Sequence, residues 1–267
     1  MVNSPQSIEE LKLKRTIVVS VGMYPYNAIV AIMSIGVGPG DVIILVNSEP
    51  RRIEDLRPRG GRMQPEDAMN QIRKIILDNI PEVDIKDVWL SPSRHLADNV
   101  ALLRTLVESL APTSVTIAIA GGLRWLSVVL MFLAMALKTI GGYTRVNVED
   151  VFVMLEEESP SIKRIFPGIR ERIIHWPIIP ALTSMDKLEY EILRIITSKE
   201  DGIKAKEIIQ AINGQFERSR RPSKASIERK LTKLRRKGVI TYEKVGKAYI
   251  YKPTDLGKIL TKQYTLQ

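Results

Sequence analysis

SKASIERKLTKLRRKGVITYEKVGKAYIYK, residues 223–252, decides how the last third of this chain folds. Ile227, Leu231 and Leu234 recur at i, i+4 and i+7, so a helix over Lys224–Lys237 has one apolar stripe. Its other faces carry Arg229, Lys230, Lys233, Arg235 and Arg236. Ser223 is suited to the N-cap, where its hydroxyl can accept from an orphaned backbone N–H, and Gly238 stands at C′. Two short strands follow, Val239–Lys244 and Ala248–Lys252, joined through Val245-Gly246-Lys247 as a hairpin.

Working upstream, Met185–Ser198 places Leu188, Ile192 and Ile195 on one stripe with Leu193 and Ile196 beside it, an amphipathic helix. Gly202 interrupts it, and a second helix is expected over Lys204–Asn213 with Ile208, Ile209 and Ile212 inward, ended by Asn213-Gly214. A basic turn containing Arg218, Arg220, Arg221 and Pro222 leads to Ser223. Helix, helix, basic helix and hairpin is the order of a winged helix-turn-helix, which offers its third helix to a DNA major groove. The candidate DNA-contacting residues are Arg220 and Arg221 in the turn, and Ser223, Lys224, Ser226 and Arg229 for base edges. Lys230 and Lys233 on the basic face of the helix are further candidates, and Lys244 and Lys247 at the wing tip would meet flanking phosphates. The alternative is that the same cations form a solvated face of a protein-binding module.

Charge divides the chain in the same place. Residues 1–184 hold 20 Lys+Arg against 20 Asp+Glu, whereas residues 185–267 hold 20 against 10 and so carry the entire net charge of +10. Such segregation implies that one half meets a polyanion and the other does not. The expected division is therefore a domain at residues 1–180 and a second at 185–267, joined through the Pro177–Ser184 segment.

The first 180 residues alternate strand and helix. Apolar runs suited to buried parallel strands occur at Thr16–Val21, Asp41–Val46, Val88–Leu90, Val115–Ala120 and Val151–Leu155, with Arg172–Ile179 as a further extended segment. Helices are expected near Ala28–Ile35, Pro65–Asn79, Leu96–Leu110 and Trp125–Thr139. This is the pattern of an α/β, Rossmann-like doubly wound domain. Ligands in such sheets bind where strand order reverses, at the exits of strands one and four. Those exits are Gly22-Met23-Tyr24-Pro25-Tyr26-Asn27 and Gly121-Gly122-Leu123-Arg124. Both leave a strand through glycine and enter a helix, so free N–H groups face one crevice. Arg124 adds a cation, Asn27 an amide, and Tyr24 and Tyr26 rings for a base. Ser91 and Arg94, in the loop before His95, are further candidate lining. No G-x-G-x-x-G follows strand one, which argues against a dinucleotide cofactor. Arg57-Pro58-Arg59-Gly60-Gly61-Arg62 reads as an exposed turn, with a lid over the crevice as the alternative.

Several classes drop out. There are no cysteines and only His95 and His175, which leaves no thiolate or histidine-rich metal site and no cysteine nucleophile. Met1–Lys14 lacks the apolar core of a signal peptide. Val115–Leu137 is nearly all apolar, but its longest uncharged piece after Arg124, Trp125–Leu137, is too short to span a bilayer. The expectation is a soluble, cytoplasmic chain with no membrane partner and no cofactor.

The strand-one exit Val19-Ser20-Val21-Gly22-Met23-Tyr24-Pro25-Tyr26-Asn27 and the strand-four exit Ile119-Ala120-Gly121-Gly122-Leu123-Arg124 supply the motifs of a resemblance. With the domain order, they make the chain resemble an archaeal CRISPR-associated transcriptional regulator of the Csa type, a CRISPR-associated Rossmann fold (CARF) domain followed by a winged helix. The resemblance covers nearly the whole chain. It implies a homodimer that binds cyclic oligoadenylate, commonly cyclic tetra-adenylate, across its two-fold axis, and double-stranded DNA at CRISPR or cas gene promoters. A ring nuclease of the same architecture is the enzymatic alternative. Met23–Asn27 carries neither the serine nor the lysine associated with such enzymes, so no catalytic residue is assigned. A nucleotide-sensing regulator unrelated to CRISPR is a third reading.

Overall fold

The structure, a computed structural model, describes residues 14–54, 62–154, 173–176, 179–199, 201–215, 217, 221–246 and 248–265. Six strands form one sheet: β1 (Lys14–Ser20), β2 (Val42–Ser48), β3 (Asp84–Leu90), β4 (Thr113–Ile119), β5 (Val146–Met154) and β6 (Ile173–His175). Their order is β3-β2-β1-β4-β5-β6, parallel throughout except for the antiparallel edge strand β6. Four helices alternate with the parallel strands: α1 (Pro25–Ile35), α2 (Pro65–Asn79), α3 (Leu96–Ser109) and α4 (Arg124–Thr144).

Alternation along the central strands explains why helices cover both faces. Ile17 and Val19 of β1 and Ile43 and Leu45 of β2 pack with Ala28 and Ile32 of α1 and Ile72 and Ile76 of α2. Val18, Ile44, Val46 and Ile117 point the other way, into Val100 and Leu103 of α3 and Leu130 and Leu133 of α4. Each fully buried Val, Leu or Ile contributes about 1.5–3 kcal/mol relative to exposure, so these two layers hold the sheet.

A second, three-stranded sheet of order β7-β9-β8 lies in the C-terminal part. Its elements run α5 (Lys187–Thr197), β7 (Ile203–Lys204), α6 (Ala205–Gln215), α7 (Lys224–Arg236), β8 (Ile240–Val245), β9 (Ala248–Pro253) and α8 (Asp255–Thr261). The expected stripe of α7 is buried, with Ile227 and Leu234 at 0% exposure and Leu231 at 1%. Its core is continuous with the α3/α4 side of the large sheet. The joint is also polar: Tyr143 stacks on Tyr190 with centroids 5.0 Å apart and its hydroxyl donates to the Met185 carbonyl. Burial pushes the Tyr190 phenol up to about 12.

Several boundaries differ from the sequence reading. β3 begins at Asp84 rather than Val88, because an edge strand need not be apolar on both faces and Asp84, Lys86 and Asp87 pass unnoticed in a search for buried runs. β5 begins at Val146, with its register broken by a shift opposite Val115/Thr116. α1 starts at Pro25, where a missing N–H costs nothing in a helix's first turn. α6 runs past Asn213-Gly214 to Gln215. α4 continues to Thr144 through two glycines; a Cβ on Gly141 would collide with the Val146 carbonyl, so the glycine is what allows the last turn to pack on β5. At 21 residues α4 is long and apolar enough to cross a membrane by length and composition, which corrects the shorter span read from sequence. Here its buried face, Leu126 to Ile140, forms core with the sheet and α3.

Candidate functional site

The reversal of strand order lies between β1 and β4, and a cavity of about 710 Å³ opens at their exits. Gly22, Met23, Tyr24, Pro25, Tyr26 and Asn27 line it from the β1 exit, and Gly121, Gly122 and Leu123 from the β4 exit. The two loops touch backbone to backbone. A Cβ on Gly22 would lie 2.5 Å from the Gly122 nitrogen, and Gly122 itself has φ +92° with the Val21 carbonyl 2.9 Å from where its Cβ would be. Ser20 Oγ accepts from the Ala120 and Gly121 N–H groups at 3.0 and 3.3 Å, fastening the exits together. The glycines are therefore needed for loop contact, whatever occupies the crevice. Neither α1 nor α4 receives a capping hydrogen bond from a side chain at its N-terminus. Pro25 has no N–H and the Leu126 N–H donates to the Leu123 carbonyl at 2.9 Å; the other N–H groups of the two first turns are left to water or to a ligand.

The β2 exit supplies lining that the sequence reading missed: Asn47, Ser48, Glu49, Pro50 and Ile53. From the approach to α2 come Arg62 and Met63, and from α2 itself Pro65 and Gln71. The Met63 N–H donates to the Met23 carbonyl at 2.9 Å, laying this segment across the β1 exit. Of the basic Arg57–Arg62 segment, residues 57–61 lie outside the described residues, while Arg62 lines the cavity and reaches Met23 Sδ at 3.3 Å. The signal for β2 was available, since a strand adjoining the switch point delivers its own exit loop there.

Two expected groups stand elsewhere. Ser91 lines a shallow neighbouring recess with Glu49, Pro50, Arg51 and Pro92, and Arg94 lines neither space. The reason is topological: β3 is the sheet edge, separated from β4 by β2 and β1, and the β2 exit lies between. Arg124 is the exposed first residue of α4, beside the rim and outside the lining. His95 is the N-cap residue of α3, without a side-chain cap bond.

On the basic helix the cations divide into two sets. Lys224, Arg229, Arg235 and Arg236 are exposed. Lys230, Lys233 and Lys237 instead converge on Glu189, a fully buried carboxylate on α5, at 3.4, 3.0 and 2.5 Å. Lys230 also pairs with Asp186. Lys230 is thus bound inward rather than presented to solvent, and Lys233 is shared between Glu189 and the surface. A charged residue inside the apolar stripe of α5 is the feature that periodicity passed over. Burial pushes the Glu189 carboxyl up, but hydrogen bonds from Lys237 and Lys233 outweigh it and hold the group below its ordinary value. Asp186 is lowered likewise, against burial, chiefly by Lys230. Ser223 caps α7, its Oγ accepting from the Ser226 N–H at 3.2 Å; Ser226 is half-buried. Arg221 and Lys244 are exposed, on the approach to α7 and on the wing, and Arg220 and Lys247 lie outside the described residues.

The sequence reading stopped at the hairpin and missed α8, although Thr254, three residues before Gly257, is a capping signal. α8 and the residues after it clasp α3. Arg104, with no exposed side-chain surface, donates to the Ile259 carbonyl at 2.9 Å and to the Lys262 carbonyl, and pairs with Glu108 at 2.5 Å. Asp98 accepts from Lys262 at 3.0 Å and from the Tyr264 hydroxyl at 2.7 Å.

The penicillinase repressor family model matches residues 185–263. The C-terminal unit is a winged-helix domain of the penicillinase-repressor type. Among solved structures, the solution structure of the DNA binding domain of the repressor BlaI is similar at 23% identity, covering 26% of this chain and 78% of that one, with a TM-score of 0.23. No curated protein matches the chain. In this repressor-type domain the exposed cations of α7 stand on the second helix of the helix-turn-helix that α6 and α7 form, and the hairpin β8–β9 is its wing.

Proposed function

We propose that the chain is a homodimeric, cytoplasmic transcriptional regulator of the CRISPR-associated CARF type, which binds cyclic oligoadenylate in its α/β unit and promoter DNA through its winged helix. The observation that carries this reading is the joining, in one chain, of a repressor-type winged helix to a cavity at the β1/β4 switch point. Its volume of about 710 Å³ lies in the range of small-molecule sites. The uncapped N-termini of α1 and α4 suit phosphates, and the exposed rings of Tyr24 and Tyr26 at the mouth suit bases. A two-fold partner fits beside that mouth. Leu123 before α4, Val128 on its second turn, and Tyr24 and Tyr26 are 45–57% exposed, an apolar surface that a second copy would cover. Two copies of one crevice meet the repeated phosphates and adenines of a ring.

Calorimetry or native mass spectrometry with cyclic tetra-adenylate tests the ligand: one ring per two chains is expected. Absence of binding overturns the ligand, and rapid conversion of the ring to linear dimers shows an enzyme instead. A mobility-shift titration on DNA upstream of CRISPR adaptation or effector genes tests the output, with affinity that falls steeply with salt and changes when the ring is present.

A further inference from the structure

Asn47 is 4% exposed, lines the cavity, and its Nδ2 has no hydrogen-bond partner. Its orientation is fixed, because Oδ1 accepts the Ser48 N–H at 2.8 Å and the amide cannot turn over without breaking that bond. An unmet buried donor costs about 1–3 kcal/mol, so a group that meets it gains correspondingly. The ladder continues one residue past β2, with the Glu49 N–H donating to the Leu90 carbonyl at 2.8 Å. Asn47, at the buried end of β2, and Glu49, exposed in the bend just past it, both line the cavity, as does Ser48 between them. This wall offers a neutral donor beside a carboxylate acceptor, a poor place for a phosphate. The uncapped helix ends and Arg62 form the positive part of the same cavity.

We propose that Asn47 and Glu49 are the base-reading residues of this cavity, and that they select a 6-aminopurine over a 6-oxopurine. Asn47 Nδ2 donates to the ring nitrogen of the base edge, and the Glu49 carboxylate accepts from the exocyclic amino group. A 6-oxopurine presents the reverse pattern, an N–H against the Asn47 donor and a carbonyl against the carboxylate. The inference rests on the nucleotide-ligand reading above and names the residues that give it base specificity, which lie outside both glycine exits.

Asn47→Asp tests it, since aspartate keeps an acceptor for the Ser48 N–H and puts a negatively charged acceptor where the donor was, matched to the ring N–H of a 6-oxopurine rather than to the bare ring nitrogen of a 6-aminopurine. Affinities of wild type and variant are measured for cyclic tetra-adenylate and for its tetra-inosinate analogue, with thermal melting to confirm folding. The wild type is expected to prefer the adenylate ring at least about tenfold, and the variant to lose about tenfold or more on that ring while holding or gaining on the inosinate ring. Equal loss on both rings, or no loss on either, overturns the role of Asn47 and leaves the ligand reading standing. If the wild type binds neither ring, the ligand reading and the base-reading assignment fall together.

Discussion

The two halves of the chain begin their helices in opposite ways. In the winged-helix domain the N-termini of α5, α7 and α8 are closed by their own side chains: Asp186 in a reciprocal capping box with Glu189, Ser223 and Thr254. None of the four helices of the α/β unit has a side-chain cap, and three of them, α1, α2 and α4, start at the walls of the cavity. A domain that satisfies its own backbone donors is finished before it meets a partner, and its surface is free to carry charge. A unit that leaves helix ends open at one edge of its sheet holds a place for something else to bind. The net charge follows the same division, zero up to residue 184 and +10 beyond it.

That contrast is broken hardest at the joint. Arg104→Met removes the donors that hold the Ile259 and Lys262 carbonyls and leaves Glu108 without its cation, with the Gln263 amide still donating to it, and loss of one partner from a buried ion pair costs about 3–5 kcal/mol. Denaturant unfolding followed at two wavelengths should show that loss and a separation of the two units into distinct transitions. A change under about 1 kcal/mol would mean that the clasp is not what couples them. Next in size, Gly22→Ala drives a methyl group into the backbone of Gly122 and is expected to cost about 1–3 kcal/mol and to abolish ligand binding. Gly214→Ala, where nothing lies within 4 Å of the new methyl, should instead stabilise by up to about 1 kcal/mol, because the glycine is helical. Equal melting temperatures for the two variants would refute the loop contact.

How much of this was legible depended on whether a residue answers to a local or a distant cause. The stripe Ile227, Leu231 and Leu234 repeats at helical spacing and reads directly as core, and the glycine exits of β1 and β4 announce themselves as strand-to-helix turns. Glu189 does not, since a carboxylate on a helix reads as solvated until the three lysines of another helix are seen to close over it. Asn47 is equally silent, because only the placement of β2 beside β1 brings its amide into the crevice. The clasp on α3 joins positions about 160 residues apart, and no window of sequence contains it.

Acid should separate the same two regions. The carboxyls of Asp186 and Glu189 in the winged helix and of Asp98 at the joint are held below their ordinary 3.8, 4.5 and 3.8 by ammonium and hydroxyl donors, against burial. A carboxylate with a depressed folded-state value adds stability that is fully present above its ordinary value and is lost as pH falls through the folded one. Melting temperature should therefore be flat above about pH 5.5 and fall below about pH 4.5. Glu189→Gln should flatten part of that fall, and an unchanged acid limb in the variant would remove Glu189 from the account.

The smallest effect bears most directly on DNA. Arg229 and Lys230 are neighbours on α7, yet Arg229 is exposed while Lys230 is held by Asp186 and Glu189. If α7 lies against DNA, Arg229→Ala should weaken binding by about 1 kcal/mol and lower the salt slope of the association constant by about 1, with little change in melting temperature. Lys230→Ala should do the opposite, leaving the slope in place and lowering the melting temperature, because it uncovers one side of Glu189. Composition cannot tell these lysines and arginines apart, since both count equally toward the net charge. Equal slopes for the two variants would mean that the inward cluster opens on DNA, and that the winged helix is less self-contained than its capped helices imply.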